Sequence, residues 1–383
     1  MKLKRSLTLL DLTCIATGAM ISSGLFILPG LAFAKAGPSV ILSYVLAGVL
    51  CIPTLLSKAE LTTAMPKAGG DYFYIMRGFG PLIGTIAGFS AWLSLSLKGA
   101  FALIGIGAYL SMVVNIPLTT IALWFCLVFI FINLIGIKQA GTLQVAVVFG
   151  LIGILLAYIV FGSRFMNLQN FSPFFSKGVA GMASTASLVF ISFGGLTKIV
   201  AVAEEVKNPG KNLPRAMIIS LLLTMVLYAA VIFVTIGILE PGQLASTLTP
   251  ISDCASIFGG NALGVVISIA AFLAFISTAN AAIMTASRYP LGMSRDKLIP
   301  GIFQKVGLTL GTPYVSILCT GAFMVAAILF LKLDLLIKVA SSILILLFMS
   351  ANAVLILFRE SHVFSYKPKF RSPLYPHIQI IGI

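Results

Sequence analysis

The chain has 383 residues, of which 59% are hydrophobic and only 9% are charged, and its formal net charge is +15. This composition excludes an ordinary soluble domain, in which about a quarter of the residues are charged. Apolar runs of roughly 18 to 25 residues recur along the chain, and each is long enough to cross a bilayer core of about 30 Å. The composition therefore predicts an all-α integral membrane protein that sits in a lipid bilayer.

The basic residues are scattered over short connections, which argues against a nucleic-acid-binding patch. About ten spans are expected, and if the N-terminus is cytoplasmic most lysines and arginines fall on the inner side, beginning with Lys2, Lys4 and Arg5. This asymmetry follows the positive-inside rule and predicts a multi-pass protein of the cell membrane with both termini inside. The expected spans lie near residues 12–33, 39–64, 81–113, 118–136, 140–162, 180–206, 215–238, 260–290, 313–331 and 336–358.

The first apolar segment contains TGAMISSGLFILPG, residues 17–30, whose glycines, adjacent serines and proline predict an interrupted helix. Free backbone groups at bilayer depth cost several kcal/mol each unless they line a polar cavity or meet a ligand. Unwinding between Met20 and Gly24 would free N–H groups at the positive end of the following half-helix, which suits a carboxylate. The hydroxyls of Ser22 and Ser23 would add hydrogen-bond donors to this carboxylate-binding site.

The third expected span carries Lys98, an ionisable group whose cost at bilayer depth is about 2.5 to 3.5 kcal/mol on insertion scales. Helical spacing places it on one face with Ser94, Ala102 and Gly105, so it is expected to point into the helix bundle. It could carry a coupling proton or meet a substrate carboxylate. The alternative is a lysine that snorkels to the interface or is paired for structural reasons. Earlier in the chain, Glu60 and Asp71 are expected to form ordinary salt bridges.

A second interrupted helix is predicted within SLVFISFGGLTKIVAVAEEV, residues 187–206. A half-helix that ends at Ile191, Ser192 and Phe193 would present free carbonyls and a negative dipole end, which attract an ammonium group. A carboxylate seat beside an ammonium seat fits an amino acid zwitterion, although other dipolar ligands would fit as well. Lys198 follows in the first turn of the next half-helix, where a cation is disfavoured.

The expected spans divide into two groups of five, so residues 1–162 form a first repeat and residues 163–358 a second of opposite orientation. Two interrupted helices in corresponding positions of inverted halves indicate a transporter's binding site. The alternative is a pair of kinked or closely packed helices. Residues 359–383 form an inner connection and the start of an eleventh span, which leaves open that the chain is a fragment.

Several segments together resemble the amino acid-polyamine-organocation transporters. GAMISSGLFILPG resembles their first helix, FISFGGL with AEEVKNPGKNLPRA their sixth-helix region, MPKAGGDYFYIMRGFG their inner loop, and TANAAIMTASRYPLGMSRDKLIP their eighth helix. The resemblance implies the five-plus-five inverted-repeat fold of the leucine-transporter type. It also implies that the backbone of residues 21–24 binds a substrate carboxylate and that of residues 191–194 its amino group, with Phe193 as an aromatic wall. The expected substrate-binding residues are Met20, Ile21, Ser22, Ser23, Gly24, Ile191, Ser192, Phe193, Gly194 and Thr197.

The sequence indicates the coupling ion less clearly than it indicates the substrate site. Some proton-coupled relatives carry a lysine in helix five, but the corresponding stretch here, VAVVFGLIGILLAYI, has no ionisable group. Lys98 and Lys198 are the remaining candidates for a proton, and Lys198 with Thr197 could instead tune side-chain selectivity or form an inter-helix hydrogen bond. A sodium site of the kind seen in distant relatives would use the first break and the side-chain oxygens of Ser277, Thr278 and Asn280.

The sequence therefore predicts a secondary active transporter of amino acids or related amines that works by alternating access, with a proton as the first expected coupling ion. A sodium-coupled transporter or an exchanger of the same fold, and a membrane sensor that binds an amino acid, are the alternatives. An enzyme is not expected, because Glu204 and Glu205 lie beside basic residues at an inner helix end and no nucleophile–base pair or cofactor motif is present. No cofactor and no metal site are predicted.

Overall fold

The computed structural model describes residues 7–65, 70–111, 114–135, 141–307, 312–362 and 366–383. The N-terminal basic residues Lys2, Lys4 and Arg5, which were used to predict the topology, lie outside the described residues. The side chain of Glu204 also lies outside them. Helices dominate the described part. The first seven are α1 (Leu9–Met20), α2 (Ser23–Phe26), α3 (Leu28–Ala36), α4 (Val40–Ala64), α5 (Gly70–Leu110), α6 (Leu118–Ile135) and α7 (Gly141–Gly162). The remaining helices are α8 (Gly178–Val189), α9 (Leu196–Ala201), α10 (Pro209–Ile238), α11 (Pro241–Ser246), α12 (Pro250–Ala286), α13 (Arg288–Arg295), α14 (Tyr314–Phe330), α15 (Leu333–Glu360) and α16 (His377–Ile381).

Within the described residues, eight helical stretches are long and apolar enough to cross a membrane. Two shorter apolar helices, α1 with 12 residues and α14 with 17 residues, overlap the first and ninth spans expected from the sequence. At a rise of about 1.5 Å per residue α1 is only about 18 Å long, which is roughly half a bilayer core. It is short because the chain leaves the helical conformation after Met20.

Two of the long helices are hairpins, because the chain reverses at one glycine in each. Gly80 in α5 has φ 85° and ψ −179°, and Gly260 in α12 has φ 69° and ψ 177°, a conformation that essentially only glycine adopts. After each reversal the two arms pack closely: a Cβ atom on Gly84 would lie 2.6 Å from the Cβ atom of Met76. In α12 the two arms are joined by a hydrogen bond of 2.9 Å from the Ser252 hydroxyl to the carbonyl of Gly264.

The second arm of α5 forms the centre of the bundle. In its most apolar stretch 89% of the residues are buried, compared with 33% in α6 and 28% in Val145–Phe165, which covers most of α7 and the turn after it. Helices α12 and α15 pack along α5, and α1 packs against α10. The exposed apolar residues of α6 and α7, such as Trp124, Leu127 and Phe149, therefore form the outer face of the bundle, where lipid would contact them.

Candidate functional site

The interruption predicted in the first apolar segment is present. Helix α1 ends at Met20, and Ser22 adopts φ −149° and ψ −126°, far from helical values, before α2 begins at Ser23. All residues of the break are buried, from Met20 to Gly24. The hydroxyl of Ser22 is also buried and has no hydrogen-bond partner among the described residues. The break therefore places polar backbone and a free hydroxyl in the middle of the bundle.

Three tyrosines from surrounding helices donate hydrogen bonds to carbonyls of this interrupted segment. Tyr228 on α10 donates to the carbonyl of Met20 at 2.6 Å, Tyr44 on α4 to that of Gly24 at 2.8 Å, and Tyr109 on α5 to that of Phe26 at 3.0 Å. All three side chains are buried. Buried carbonyls without partners would cost free energy, so these hydroxyls stabilise the break. The sequence analysis did not single out the three tyrosines.

The second interruption is tighter than the sequence predicted. Helix α8 ends at Val189, two residues before the expected end at Ile191, and a 3₁₀ helix, Phe190–Gly195, joins it to α9. The segment is therefore a narrowed helix with few free carbonyls rather than an open gap. A physical reason is the close packing against α1, since a Cβ atom on Gly195 would lie 2.8 Å from the carbonyl oxygen of Ala16. The narrow 3₁₀ form allows this approach.

The two interrupted segments contact each other directly. A Cβ atom on Gly24 would lie 2.6 Å from the hydroxyl oxygen of Ser192, so only glycine fits at this point of the first break. The Ser192 hydroxyl donates to the carbonyl of Gly24 at 3.5 Å. The ring of Phe193 packs edge-on against Tyr228 with a centroid distance of 5.5 Å. The structure thus brings together the two stretches that the sequence marked as the halves of one site.

Lys98 joins both segments through its amine. The Nζ atom donates to the carbonyl of Ala19 at the end of α1 and to that of Ile191 in the 3₁₀ helix, each at 3.3 Å. The residue is only 7% exposed, so it points into the bundle as the sequence predicted. Its neighbour one turn earlier, Ser94, donates to the carbonyl of Ala340 on α15 at 3.0 Å. The contact of one ammonium group with both breaks was not predicted.

A small cavity of about 20 Å³ lies beside Lys98. This volume admits about one water molecule, so the site is closed around its contents. Thr197 reaches the cavity, and its hydroxyl donates to the carbonyl of Gly194 at 2.7 Å. The residues that line the cavity are Asp71, Ala91, Ser94, Leu95, Lys98, Ile191, Gly194, Thr197, Tyr289, Leu344 and Leu347.

The three polar residues considered for sodium are spread over different surroundings. Asn280 accepts a hydrogen bond of 2.6 Å from Asn133 on α6, which is an inter-helix contact. The hydroxyl of Thr278 is buried without a partner in the described part of the chain, and Ser277 is half-buried. No described hydrogen bond joins Thr278 or Asn280 to the first break. These residues therefore remain a prediction only.

Two ion pairs with buried carboxylates lie near the C-terminal end of α4, in line with the salt bridges expected for Asp71 and Glu60. Lys58 on α4 contacts the Oδ2 atom of Asp71 at 2.7 Å, with both side chains 2% exposed. Glu60 accepts from the Nε and Nη2 atoms of Arg359 on α15. The Oδ1 atom of Asp71 is buried and has no partner among the described residues. The sequence did not indicate that these pairs would be buried or which cations would form them.

Comparison with known proteins decides the family. The model of the amino acid permease family matches residues 7–383, which is nearly the whole chain. The chain belongs to the amino acid permease family. It is thus a multi-pass membrane permease of amino acids or related solutes and not an enzyme, and the resemblance found in its motifs is confirmed. The family implies the leucine-transporter-type helical fold.

Individual relatives of the permease transport different solutes. The methylthioribose transporter of Bacillus subtilis (strain 168) is 30% identical over 99% of this chain and 86% of that protein. The branched-chain amino acid permease BcaP of the same organism is 30% identical over 82% of this chain and 72% of that protein. The mitochondrial cationic amino acid transporter 3 of Arabidopsis thaliana is 30% identical over 87% of this chain and 58% of that protein. Family membership alone therefore does not define the cargo.

Proposed function

We propose that this permease is a secondary active transporter that moves an amino acid or a closely related amine across the cell membrane by alternating access, with its N-terminus in the cytoplasm. The observation that carries the proposal is the meeting of two interrupted segments at one buried ammonium group, that of Lys98. Their carbonyls already accept hydrogen bonds from an amine, so the amino group of a substrate can use the same acceptors once Lys98 withdraws.

The substrate seat comprises the backbone of the two breaks. Residues 20–24 hold the carboxylate, with the unpartnered hydroxyl of Ser22 as an added donor. Residues 191–194 hold the amino group, and Thr197 contacts the substrate side chain because it lines the cavity. A cavity of about 20 Å³ is too small for an amino acid. Binding therefore requires an open conformation, as alternating access demands.

The fold divides into inverted repeats at residues 1–162 and 163–358, followed by residues 359–383. The two hairpin glycines support this division, since Gly80 and Gly260 occupy equivalent helices of the two halves and share one unusual backbone conformation. On the side of the molecule away from the chain termini, Lys35 at the end of α3 contacts Asp334 at the start of α15 at 3.0 Å. This pair joins the two repeats and, in this proposal, separates when the site opens to that side.

A proton is the coupling ion in this proposal, and Lys98 is its carrier. A buried amine that contacts both halves of the site changes those contacts when it loses its proton, which links protonation to the conformation of the breaks. Lys198 is the second candidate. Sodium coupling through Ser277, Thr278 and Asn280 is the alternative within the same fold.

Uptake into sealed proteoliposomes tests the transport proposal. Purified protein is reconstituted, and radiolabelled amino acids are added with an inward proton gradient, with a sodium gradient, and with neither. We expect uptake that the proton gradient accelerates and that Lys98→Met reduces at least tenfold. Binding without flux would identify the alternative, a membrane sensor. Full gradient-driven uptake by Lys98→Met would remove this lysine from the coupling mechanism.

A further inference from the structure

We infer that Lys98 sets the charge of the cargo: the site accepts amino acids with a net charge of zero or minus one and excludes cationic ones, including basic amino acids and polyamines. This inference rests on the proposed transport of amino acids and adds a substrate class to it. It separates this chain from the relative that is named a cationic amino acid transporter.

The position of the amine is the first step. The Lys98 Nζ atom lies 3.3 Å from one carbonyl of each interrupted segment, so its charge is located where the two halves of the site meet. The side chain is buried, and its two hydrogen bonds hold it at this junction. Any cargo that contacts both breaks must therefore lie close to the charge of the protonated amine, whether Lys98 keeps these two carbonyls or yields them to the amino group of the substrate.

The surrounding charges do not offset this one. In the described ranges no acidic side chain lies within 4.0 Å of Lys98 or of Lys198, which follows the second break. Asp71 lines the same cavity, but its carboxylate is already paired with Lys58 at 2.7 Å. The other polar groups of the lining, which include Tyr289, carry no formal charge. The site thus has an excess of positive charge.

Acceptors for a second cation are also scarce. The carbonyls of Ala19 and Ile191 accept from Lys98, and the amino group of the substrate uses them when Lys98 withdraws, so they are not left for a cationic side chain. The carbonyls of Met20 and Gly24 accept from tyrosine hydroxyls. The Oδ1 atom of Asp71 has no partner among the described residues, but the charge of this carboxylate is already offset by Lys58. In a buried site, where charges interact more strongly than in water, a cationic side chain would be repelled and poorly hydrogen-bonded.

Ligand-linked thermal stabilisation of the detergent-purified protein tests the inference. Glutamate, glutamine, leucine, lysine and arginine are titrated at mildly acidic pH, and apparent affinities are taken from the rise in melting temperature. We expect at least one neutral or acidic ligand to bind at least about tenfold more tightly than lysine and arginine. Equal or tighter binding of lysine or arginine would overturn the inference while leaving amino acid transport intact. Absence of binding by all five would overturn the proposed function and this inference with it.

Variants at position 98 test whether the discrimination against cationic ligands depends on the charge of this side chain. Lys98→Gln keeps a hydrogen-bond donor but removes the charge, and should reduce the discrimination against lysine and arginine at least about tenfold. Lys98→Arg keeps the charge and should retain the discrimination. Lys177→Gln on the exposed surface is the matched control and should behave as wild type. Unchanged discrimination in Lys98→Gln would overturn the role of Lys98. If that variant does not fold, the ligand series on the wild-type protein still decides the substrate class.

Discussion

The hydroxyl oxygens of Ser252 and Ser268 lie 2.6 Å apart although the two residues are separated by 16 positions on α12. In a straight helix this separation would be about 24 Å. The hydrogen bond therefore requires the complete reversal of the chain at Gly260, and it fastens the two arms of the hairpin. Tyr72 and Gly88 approach each other in the same manner across Gly80 in α5, since a Cβ atom on Gly88 would lie 3.1 Å from the ring of Tyr72.

Replacement of Gly260 by alanine is expected to destabilise the protein by about 1 to 3 kcal/mol, because the φ of 69° with extended ψ is strained for any residue with a Cβ atom. No atom lies within 4 Å of the added methyl group, so the effect isolates backbone strain from steric clash. The melting temperature in detergent measures it. Gly150→Ala on α7 is the control, since that methyl group also meets open space but the backbone is helical. An unchanged melting temperature in Gly260→Ala would contradict the prediction.

Tyr228→Phe is expected to lower stability by about 0.5 to 1.5 kcal/mol, because it removes one hydrogen bond to the Met20 carbonyl, which also accepts from the backbone N–H of Ser22 at 2.8 Å, while the ring remains in place. The loss should also raise the mobility of the first break, which hydrogen exchange of residues 17–30 can detect. Tyr314→Phe, at a partly exposed position at the start of α14, serves as the control and should have little effect. If both variants melt alike, the hydroxyl of Tyr228 does not support the break.

The Lys58–Asp71 pair allows a double-mutant cycle. Lys58→Met alone leaves a buried carboxylate without its cation and is expected to cost about 3 to 5 kcal/mol, whereas Lys58→Met combined with Asp71→Asn should cost much less. The Nζ atom also lies 3.9 Å from the ring centroid of Phe348, so the methionine retains an apolar neighbour. Thermal melting of the four proteins gives the coupling energy. Strictly additive single-variant effects would mean that the two side chains do not interact.

Glu60→Gln should release the C-terminal segment, residues 366–383. The buried Glu60 carboxylate accepts from Arg359, from the Tyr366 hydroxyl at 3.0 Å and from the backbone N–H of Ser372. Burial, with a contribution from Glu60, raises the pKa of Tyr366 above its usual range, so the phenol keeps the proton that it donates. Because the amide lacks the charge and offers one acceptor, we expect faster limited proteolysis within the segment. Glu240→Gln, at an exposed position, is the control; equal cleavage rates would contradict this role.

Local sequence signals predicted the interruption of the first helix and the burial of Lys98, because both depend on residues that are close in the chain. The serines and glycine at residues 22–24 interrupt an apolar run, and the helix ends there as expected. The helical periodicity around Lys98 predicted that this side chain points into the bundle, because small residues lie on the same helix face. These signals need only neighbours in the chain, which is why a single sequence reveals them.

Contacts between distant segments were not predictable in this way. Tyr44, Tyr109 and Tyr228 look like ordinary membrane-span aromatics, and only the packing of three helices around the first break turns their hydroxyls towards its carbonyls. The second break was predicted as the end of a half-helix at residues 191–193 that leaves its carbonyls free. Close packing against α1 favours the narrower 3₁₀ form instead, and that packing is a tertiary property.

The carbonyls around the two breaks fall into two groups, which differ in how easily their present hydrogen bonds can be replaced by hydrogen bonds to a substrate. Those held by Tyr44 and Tyr228 are tied to rigid rings packed against each other at 5.3 Å, so their release would leave a void. Those held by Lys98 depend on a flexible chain of four methylene groups that can swing aside while the backbone stays still. Attempts to re-engineer the cargo should therefore begin at position 98 and leave the aromatic frame untouched.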